Sequence, residues 1–226
     1  MSPSTPTPVL LSWSGGKDSA LALQRLRGDP QYEVTGLLTA VTRGYDRISI
    51  HGVRRQLLDA QAASIGLPLH ILHLEQSSSN EAYERAFHEA LRSVAAAEAA
   101  RHIAFGDLFL EDVRIYRERL LAGTDWRPLF PIWGEPTSAL ARRFIDDGFE
   151  AHLVCVDTTQ LCGEFAGARF DHDFLDSLPG PVDPCGERGE FHTFVSSGPG
   201  FRRSVGHVVG ERVLRDGRFM YCDLTA

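Results

Sequence analysis

Apolar runs rich in β-branched residues alternate along the chain with segments in which apolar residues recur every three to four positions. The runs predict β-strands and the periodic segments predict helices. Such alternation is typical of βαβ units, so we expect an α/β fold with a parallel sheet and helices on both of its faces. The predicted strands span 9–13, 34–41, 68–74, 102–106 and 151–156, and the predicted helices span 18–27, 52–65, 81–100, 111–122 and 136–147.

The pattern changes after residue 156, where glycine- and proline-rich loops replace the helices. Two strand-like runs, 205–214 and 218–224, close the chain, and Asp216-Gly217 between them is a strong signal for a hairpin turn. We place the boundary between two parts of the chain within 124–135. The predicted organisation is a disordered tail at 1–8, a first domain at 9–127 and a smaller, loop-rich α+β part at 128–226.

The balance of charge and the cysteine spacing exclude several classes of protein. The 226 residues include 23 basic and 30 acidic side chains, and the resulting net charge of −7 disfavours broad electrostatic binding to nucleic acid or anionic membranes. No apolar run approaches the roughly 20 residues needed to span a bilayer. The four cysteines form no C-x-x-C pair, so neither a zinc site nor a disulfide framework is indicated. We expect a soluble cytoplasmic protein with reduced thiols and no metal held by protein ligands alone.

One acidic triplet permits two interpretations. Asp171-His172-Asp173 has residue types that bind metals, but a short helix starting at Phe174 would use the same residues as its cap and first-turn acids. Helix caps are far commoner than metal sites, so we predict the cap.

The strongest chemical signal is Ser14-Gly15-Gly16-Lys17-Asp18-Ser19, which lies between a predicted strand and a predicted helix. Adjacent glycines let the backbone approach an anion closely, and the N–H groups and dipole of the following helix favour negative charge. The serines and Lys17 add hydroxyl and ammonium donors. The motif is neither a Walker P-loop nor a dinucleotide G-x-G-x-x-G. It predicts a phosphate-binding loop, and the alternative is a tight turn with Asp18 or Ser19 as a helix cap.

A second group of polar residues occupies 183–195, where glycines break a short stretch that contains Glu187, Glu190, His192 and Thr193. Glycines let the backbone turn sharply, and two carboxylates three residues apart could hold a cationic substrate, orient ammonia or bind a metal. The alternative is a solvated loop that enters a strand.

These motifs carry a resemblance to a known family. Ser-Gly-Gly-Lys-Asp-Ser after a first strand resembles the PP-loop of N-type ATP pyrophosphatases, which have a Rossmann-like (HUP-type) fold. Together with Cys-Gly-Glu-x-Gly-Glu-Phe-His-Thr-Phe at 185–194, the Pro128–Gly134 segment and the residues from Val156 to Leu175, the chain is similar to the diphthine–ammonia ligase family over about residues 9–200. Phe-His-Thr stands where archaeal and eukaryotic ligases tend to have Tyr-Glu-Thr, so the similarity is greatest to short bacterial-type members.

The resemblance implies a reaction and a set of site residues. In that superfamily the loop holds the β- and γ-phosphates of ATP, ordinarily with Mg²⁺, while a substrate oxygen attacks the α-phosphorus and pyrophosphate leaves. We expect adenylation of a carboxylate, on diphthine of elongation factor 2 or a bacterial counterpart, followed by amidation with ammonia. The expected nucleotide-binding residues are Ser14, Gly15, Gly16, Lys17, Asp18, Ser19, Thr39, His51 and Gly106; the expected catalytic residues are Lys17, Asp18, Glu187 and Glu190; and the expected substrate-binding residues are Glu187, Glu190, His192 and Thr193.

Other functions stay open at this point. A PP-loop enzyme could amidate a small molecule or thiolate tRNA, with Cys155, Cys162 or Cys185 in sulfur transfer, although the acidic charge argues against RNA. A sensor that binds ATP or AMP without chemistry is a third possibility. A homodimer is compatible with the sequence, and no nucleic acid or membrane partner is expected.

Overall fold

The structure is a computed structural model that describes residues 5–44, 47–48, 51–75, 78–97 and 99–226. The strands are β1 (Thr7–Ser12), β2 (Tyr32–Thr42), β3 (Arg47–Ile48), β4 (Leu69–Leu74), β5 (His102–Ala104), β6 (Arg127–Leu129), β7 (Glu150–Asp157), β8 (Phe191–Ser197), β9 (Val208–Arg215) and β10 (Phe219–Thr225). The α-helices are α1 (Lys17–Arg27), α2 (Arg55–Ile65), α3 (Asn80–Ala97), α4 (Glu111–Leu121), α5 (Thr137–Asp146) and α6 (His172–Ser177), and Gly163–Phe165 is a 3₁₀ turn.

The first sheet is mostly parallel. β1 lies between β2 and β5, β6 follows β5, and β2 also pairs with β4; all four of these pairings are parallel. Only the two-residue β3 runs antiparallel to β2 among the described strands. The strand–helix alternation of the sequence therefore predicted four strands of this sheet correctly, and β3 and the three-residue β6 are additions. The fifth predicted strand, 151–156, was wrongly placed in it, because among the described strands β7 pairs only with those of the second, antiparallel sheet.

Helices cover both faces of this sheet, as the sequence pattern predicted. Successive residues of β1 point to opposite faces, and their neighbours differ accordingly. Val9 and Leu11 belong to a hydrophobic cluster with Leu21 of α1 and Leu57 of α2. Leu10 belongs to a second cluster, which includes residues of α3 and α4. The sheet is thus buried between two helical layers, so polar side chains are expected at the ends of its strands.

The second sheet is antiparallel, in the order β8, β7, β10, β9. Asp216 and Gly217, with φ of 52° and 62°, form the turn between β9 and β10, so the predicted hairpin is confirmed. The sequence marked 183–195 mainly as a candidate site, and a strand entered only through the alternative of a loop that leads into one. β8 is a full strand because it pairs with β7 along Phe191–Ser197.

Several predicted boundaries shift. Thr7 and Pro8, assigned to the tail, pair with β2, while residues 1–4 lie outside the described part of the chain. The predicted helix at 52–65 begins only at Arg55, because the backbones of Gly52 and Val53 are hydrogen-bonded to Ile48. Residues of both sheets share one hydrophobic cluster, and β6 crosses the expected border at residues 127 and 128. The division into domains stays a prediction.

The acidic triplet has the role that the sequence predicted. Asp171 is the N-cap of α6, and its carboxylate accepts a hydrogen bond from the Phe174 amide at 2.9 Å. Among the described residues, no helix is both long and apolar enough to cross a membrane.

Candidate active site

The loop at residues 14–19 joins β1 to α1 at the carboxyl end of β1. Gly15 has φ of +78°, a left-handed conformation that glycine adopts without strain. Gly16 is extended and is the N-cap of α1, where no side chain caps the helix. A Cβ on Gly16 would lie 3.0 Å from the Thr193 carbonyl oxygen and 3.1 Å from Cε1 of His51. Two glycines are therefore required for a bare helix N-terminus at this point.

The two serines of the loop fold back onto its backbone. The Ser19 hydroxyl donates to the Gly16 carbonyl at 2.9 Å, and the Gly16 amide donates to the Ser14 hydroxyl at 3.3 Å. The two hydroxyl oxygens lie 3.3 Å apart. Both side chains stand at the N-terminus of α1, where an anion would be favoured by the helix dipole.

Strand β8 completes this loop from the far end of the chain. The Lys17 amide donates to the Thr193 hydroxyl at 3.0 Å, and the Val195 amide donates to the Gly15 carbonyl at 2.9 Å. The second sheet is therefore bonded directly to the phosphate-loop candidate. Thr193, expected to bind substrate, has a structural contact with the loop as well as a place at the cavity wall.

Lys17 is buried, with only 2% of its surface exposed. Its ammonium lies 2.8 and 2.9 Å from the two carboxylate oxygens of Asp18 and 5.6 Å from the centre of the Phe191 ring. Burial lowers the pKa of Lys17, but the Asp18 carboxylate and other nearby groups outweigh it, so the net pKa lies above its ordinary value. The ammonium is therefore a fixed positive charge at the start of α1.

The two glutamates of the second motif point to different environments. Glu187 lines the cavity beside Lys17, and its Oε1 accepts from the Leu108 amide at 2.7 Å. Burial raises the pKa of Glu187 to about 7. Glu190 is buried beneath the loop, where its two oxygens accept from the amides of Asp183 and Arg188, both at 2.9 Å. Glu190 does not line the cavity, because the loop's own backbone engages both of its oxygens.

A pair of histidines covers one side of the cavity. The rings of His51 and His192 lie 4.6 Å apart, and Nδ1 of His51 is 3.3 Å from the Thr193 carbonyl. Burial lowers the pKa of His51 to about 4 and the pKa of His192 well below its ordinary value. Both imidazoles are therefore uncharged at neutral pH.

Two further residues of the expected nucleotide site lie apart from each other. A Cβ on Gly106, just beyond β5, would lie 2.9 Å from the Asp18 carbonyl carbon, so glycine is needed for the close approach of that loop to α1. Gly106 lines the cavity. Thr39 does not, because its hydroxyl is turned to the Trp13 carbonyl at 2.6 Å, behind the loop.

Sequence reasoning missed an arginine and its partners. Arg117 of α4 reaches the cavity, where its Nε lies 3.4 Å from Oδ2 of Asp107 and its guanidinium stacks 4.8 Å from the Phe105 ring centre. Phe105 and Asp107 flank Gly106, which the sequence assigned to the nucleotide site, so their position beside it was an available signal. Arg117 follows a helix pattern with no local motif, and no signal marked it.

Sequence reasoning also missed Gln61, a buried side chain of α2. Its Nε2 donates to the Gly15 carbonyl at 3.0 Å and to the Val195 carbonyl at 2.6 Å, and its Oε1 accepts from Nε1 of Trp13 at 3.1 Å. One amide thus joins β1, the loop and β8.

The phosphate-loop candidate, Glu187, the two histidines and Arg117 lie around one cavity of about 250 Å³. Its walls combine hydroxyl, cationic and acidic side chains with two uncharged imidazoles. Among the described residues, no group of three or more His, Cys, Asp or Glu side chains is arranged to hold a metal ion. The lining residues are Ser12, Ser14, Lys17, Asp18, Ser19, His51, Phe105, Gly106, Asp107, Arg117, Gly186, Glu187, Gly189, Phe191, His192 and Thr193.

Comparison with protein families assigns nearly all of the chain. Residues 7–123 match the diphthamide synthase N-terminal domain, and residues 136–223 match the diphthamide synthase C-terminal domain. The chain belongs to the diphthamide synthase family. Its loop at residues 14–19 is accordingly a PP-loop, as the resemblance in the sequence implied.

The similarity to individual proteins is weaker than the match to the diphthamide synthase domains. The U34-tRNA thiolase NcsA from Methanococcus maripaludis, solved with its 4Fe–4S cluster, is similar with 17% sequence identity and a TM-score of 0.39. The match covers 64% of this chain and 59% of the thiolase, so the chain spans less than two thirds of that protein. A comparison with curated proteins gave no match.

Proposed function

We propose that this protein is an amide-forming ligase that converts ATP to AMP and pyrophosphate. It adenylates a carboxylate and transfers ammonia to the activated carbonyl carbon. The observation that carries the proposal is the meeting of the PP-loop and the Glu187 carboxylate at one cavity of about 250 Å³, in a chain whose two halves match diphthamide synthase domains.

The PP-loop side of the cavity suits the departure of pyrophosphate. The N-terminus of α1 and the hydroxyls of Ser14 and Ser19 would hold the terminal phosphates. A carboxylate oxygen attacks the α-phosphorus, and the bond from that phosphorus to the oxygen bridging to the β-phosphorus breaks. Negative charge then grows on the leaving pyrophosphate. Lys17, fixed at the start of α1, stabilises that charge without having to move.

The acidic side chains of the cavity fit a magnesium ion that arrives with ATP. Mg²⁺ is commonly bound by one or two protein carboxylates together with substrate phosphates. Asp18 and Asp107 both line the cavity and would be those ligands. An ion held there would neutralise phosphate charge.

Glu187 suits the second half of the reaction. With a pKa of about 7, it is partly unprotonated at neutral pH and can accept a proton from ammonium. The freed ammonia attacks the carbonyl carbon of the acyl-adenylate, and the bond from that carbon to the phosphate oxygen breaks. AMP leaves, the nitrogen gives up one proton to the departing phosphate, and an amide remains. The uncharged rings of His51 and His192 add no positive charge that would repel ammonium.

Glu190 has a different role in this proposal from the one that the sequence suggested. Its carboxylate holds the amides of Asp183 and Arg188 and so shapes the turn that presents Glu187. Gly186, with φ of +66°, makes that turn, and a Cβ there would lie 2.8 Å from the Phe191 carbonyl oxygen. Glu190 is therefore a positioning residue, and Glu187 is the catalytic one.

The thiolation alternative receives no support from the cysteines near the site. Burial raises the pKa of Cys185 to about 12 and the pKa of Cys155 to about 11, so both remain protonated thiols at neutral pH. A thiolate is the form that carries out sulfur chemistry. Cys162 is exposed, but it does not line the cavity.

The test is to incubate the protein with α-labelled ATP, Mg²⁺, ammonium and either diphthine-bearing elongation factor 2 or a fractionated cell extract. We expect AMP and pyrophosphate in equal amounts, together with incorporation of labelled ammonia into the substrate. Formation of ADP would refute the adenylation step. ATP binding without turnover in any fraction would instead favour the sensor.

The pH dependence of amidation tests the role of Glu187. With total ammonium held constant, so that nearly all of it is NH₄⁺ at both pH values, protonation of Glu187 is expected to slow amidation about tenfold from pH 8 to pH 6, because only the unprotonated carboxylate accepts a proton. Glu187→Gln is expected to be slow at every pH and to lose this acidic limb. ATP–pyrophosphate exchange, which reports adenylation, should change only a few-fold. The same acidic limb in Glu187→Gln would assign the proton transfer to another group.

A further inference from the structure

Strand β9 is an exposed edge of the second sheet. It pairs with β10 on one side, and in the described part of the chain no strand pairs with its other side. All eight of its residues are exposed. Four of the five large hydrophobic side chains that are exposed among the described residues lie on it: Val208 (62%), Val209 (44%), Val213 (37%) and Leu214 (50%). A long apolar edge of this kind is a ready template for another strand.

Two of the charged residues of β9 form no ion pair within the described part of the chain. Neither Glu211 nor Arg215 forms an ion pair with a described residue. Arg212 differs, because its Nε donates to the Ala166 carbonyl at 2.7 Å. Glu211, Val213 and Arg215 share one face of the sheet, because all three line the same groove although the ladder with β10 is irregular beyond Arg212.

We propose that β9 pairs with β9 of a second copy of this chain. In an antiparallel pair, directly opposed residues have their side chains on the same face of the sheet. When a two-fold axis perpendicular to the sheet relates the two strands, one residue must therefore lie opposite the same residue of the other copy. With Val213 at the axis, Glu211 of each copy lies opposite Arg215 of the other, which gives two opposite-charge pairs around an apolar centre. With Glu211 or Arg212 at the axis, like charges would face each other.

The resulting dimer leaves each active site intact. Two four-stranded sheets become one eight-stranded sheet, which removes the exposed edge from both copies. The cavity that contains the PP-loop has no lining residue on β9. A separate groove of about 650 Å³ lies beside the hairpin and is lined in part by Glu211, Val213 and Arg215. The two charge pairs would therefore form along that groove.

Charge reversal tests the proposed register. The wild-type protein should sediment as a dimer of the 25.0 kDa chain. Glu211→Arg and Arg215→Glu should each raise the dimer dissociation constant roughly 30-fold, because two attractive pairs become repulsive. The double variant restores both pairs and should again form dimers. Glu89→Arg, which makes the same charge change on the exposed face of α3, is the control and should leave the dimer unchanged.

A cysteine at the axis gives an independent readout. Val213→Cys should form an intersubunit disulfide on mild oxidation, because paired residues in an antiparallel ladder bring their Cα atoms within disulfide range. Leu214→Cys should not, since it lies opposite Arg212 of the second copy. The wild type controls for the exposed Cys162. A monomeric wild type, a dimer that persists in both single reversals, or equal cross-linking at the two positions would overturn the proposal.

Discussion

Lys17→Ala is expected to reduce AMP formation about 100- to 1,000-fold, the usual cost of removing one fixed group that stabilises charge in a transition state. Lys17 is buried, its ammonium is held by Asp18, and it stands at the start of α1 where the phosphates would lie. Lys17→Arg should retain some ATP binding and lose most turnover, because a planar guanidinium does not fit the space of a compact ammonium. Initial rates with α-labelled ATP measure both effects.

The Lys17 variants also need a folding control, because each substitution removes or alters the buried side chain that pairs with the Asp18 carboxylate. Lys17→Met retains the aliphatic stem, so its thermal midpoint separates loss of packing from loss of charge. Lys17 is the single lysine of the chain. An acyl-phosphate derivative of ATP, which acylates amines beside the bound phosphates, should therefore label one side chain only. Turnover within a few-fold of wild type in Lys17→Ala, or no protection of Lys17 from that reagent by ATP, would contradict its role.

The parts of the site that lie close together in sequence could be predicted from the sequence. Residues 14–19 form one loop, so a short motif between a strand and a helix was sufficient to indicate it. The same is true of Asp171, whose cap contact spans three residues. The strand–helix alternation predicted the parallel sheet for a related reason, since each element's period depends on its own sequence.

The contacts that join distant segments could not be predicted in this way. The bond from Lys17 to Thr193 spans 176 residues, and the bond from Gln61 to Val195 spans 134. The sequence around Thr193 and around Gln61 contains no local pattern that predicts the residue each one contacts. The glutamates of the second motif show the same limit, because the turn at Gly186, and not the spacing, decides that Glu187 reaches the cavity while Glu190 is buried beneath the loop.

The site therefore depends on both sheets. The PP-loop comes from the first sheet, but its backbone is bonded to β8 of the second sheet through Thr193 and Val195. Glu187 lies on the loop that leads into β8. Any shift of β8 relative to β1 would consequently move the phosphate-binding groups and the proposed base together.

Gln61→Leu is expected to cause the largest loss of stability, because Gln61 is the side chain that joins these parts. Leucine fits the same space but leaves the indole N–H of Trp13 and the Val195 carbonyl without the hydrogen bonds that Gln61 provides in a buried site. Each unpaired group costs about 1–3 kcal/mol, so we expect the free energy of unfolding to fall by roughly 2–6 kcal/mol. Urea denaturation measures this directly. Gln31→Leu, the same change at an exposed position, should have little effect.

Gln61→Leu should also weaken ATP binding by about tenfold at a temperature where the variant remains folded, since the carbonyl of Gly15 loses one of its two donors and the PP-loop is no longer fixed to α2. Calorimetric titration with ATP, below the onset of unfolding, separates this effect from stability. Gln61→Leu could instead lose stability and still bind ATP as tightly as the wild type. The hydrogen bond from the Val195 amide to the Gly15 carbonyl would then be sufficient to fix the loop, and Gln61 would contribute to stability only.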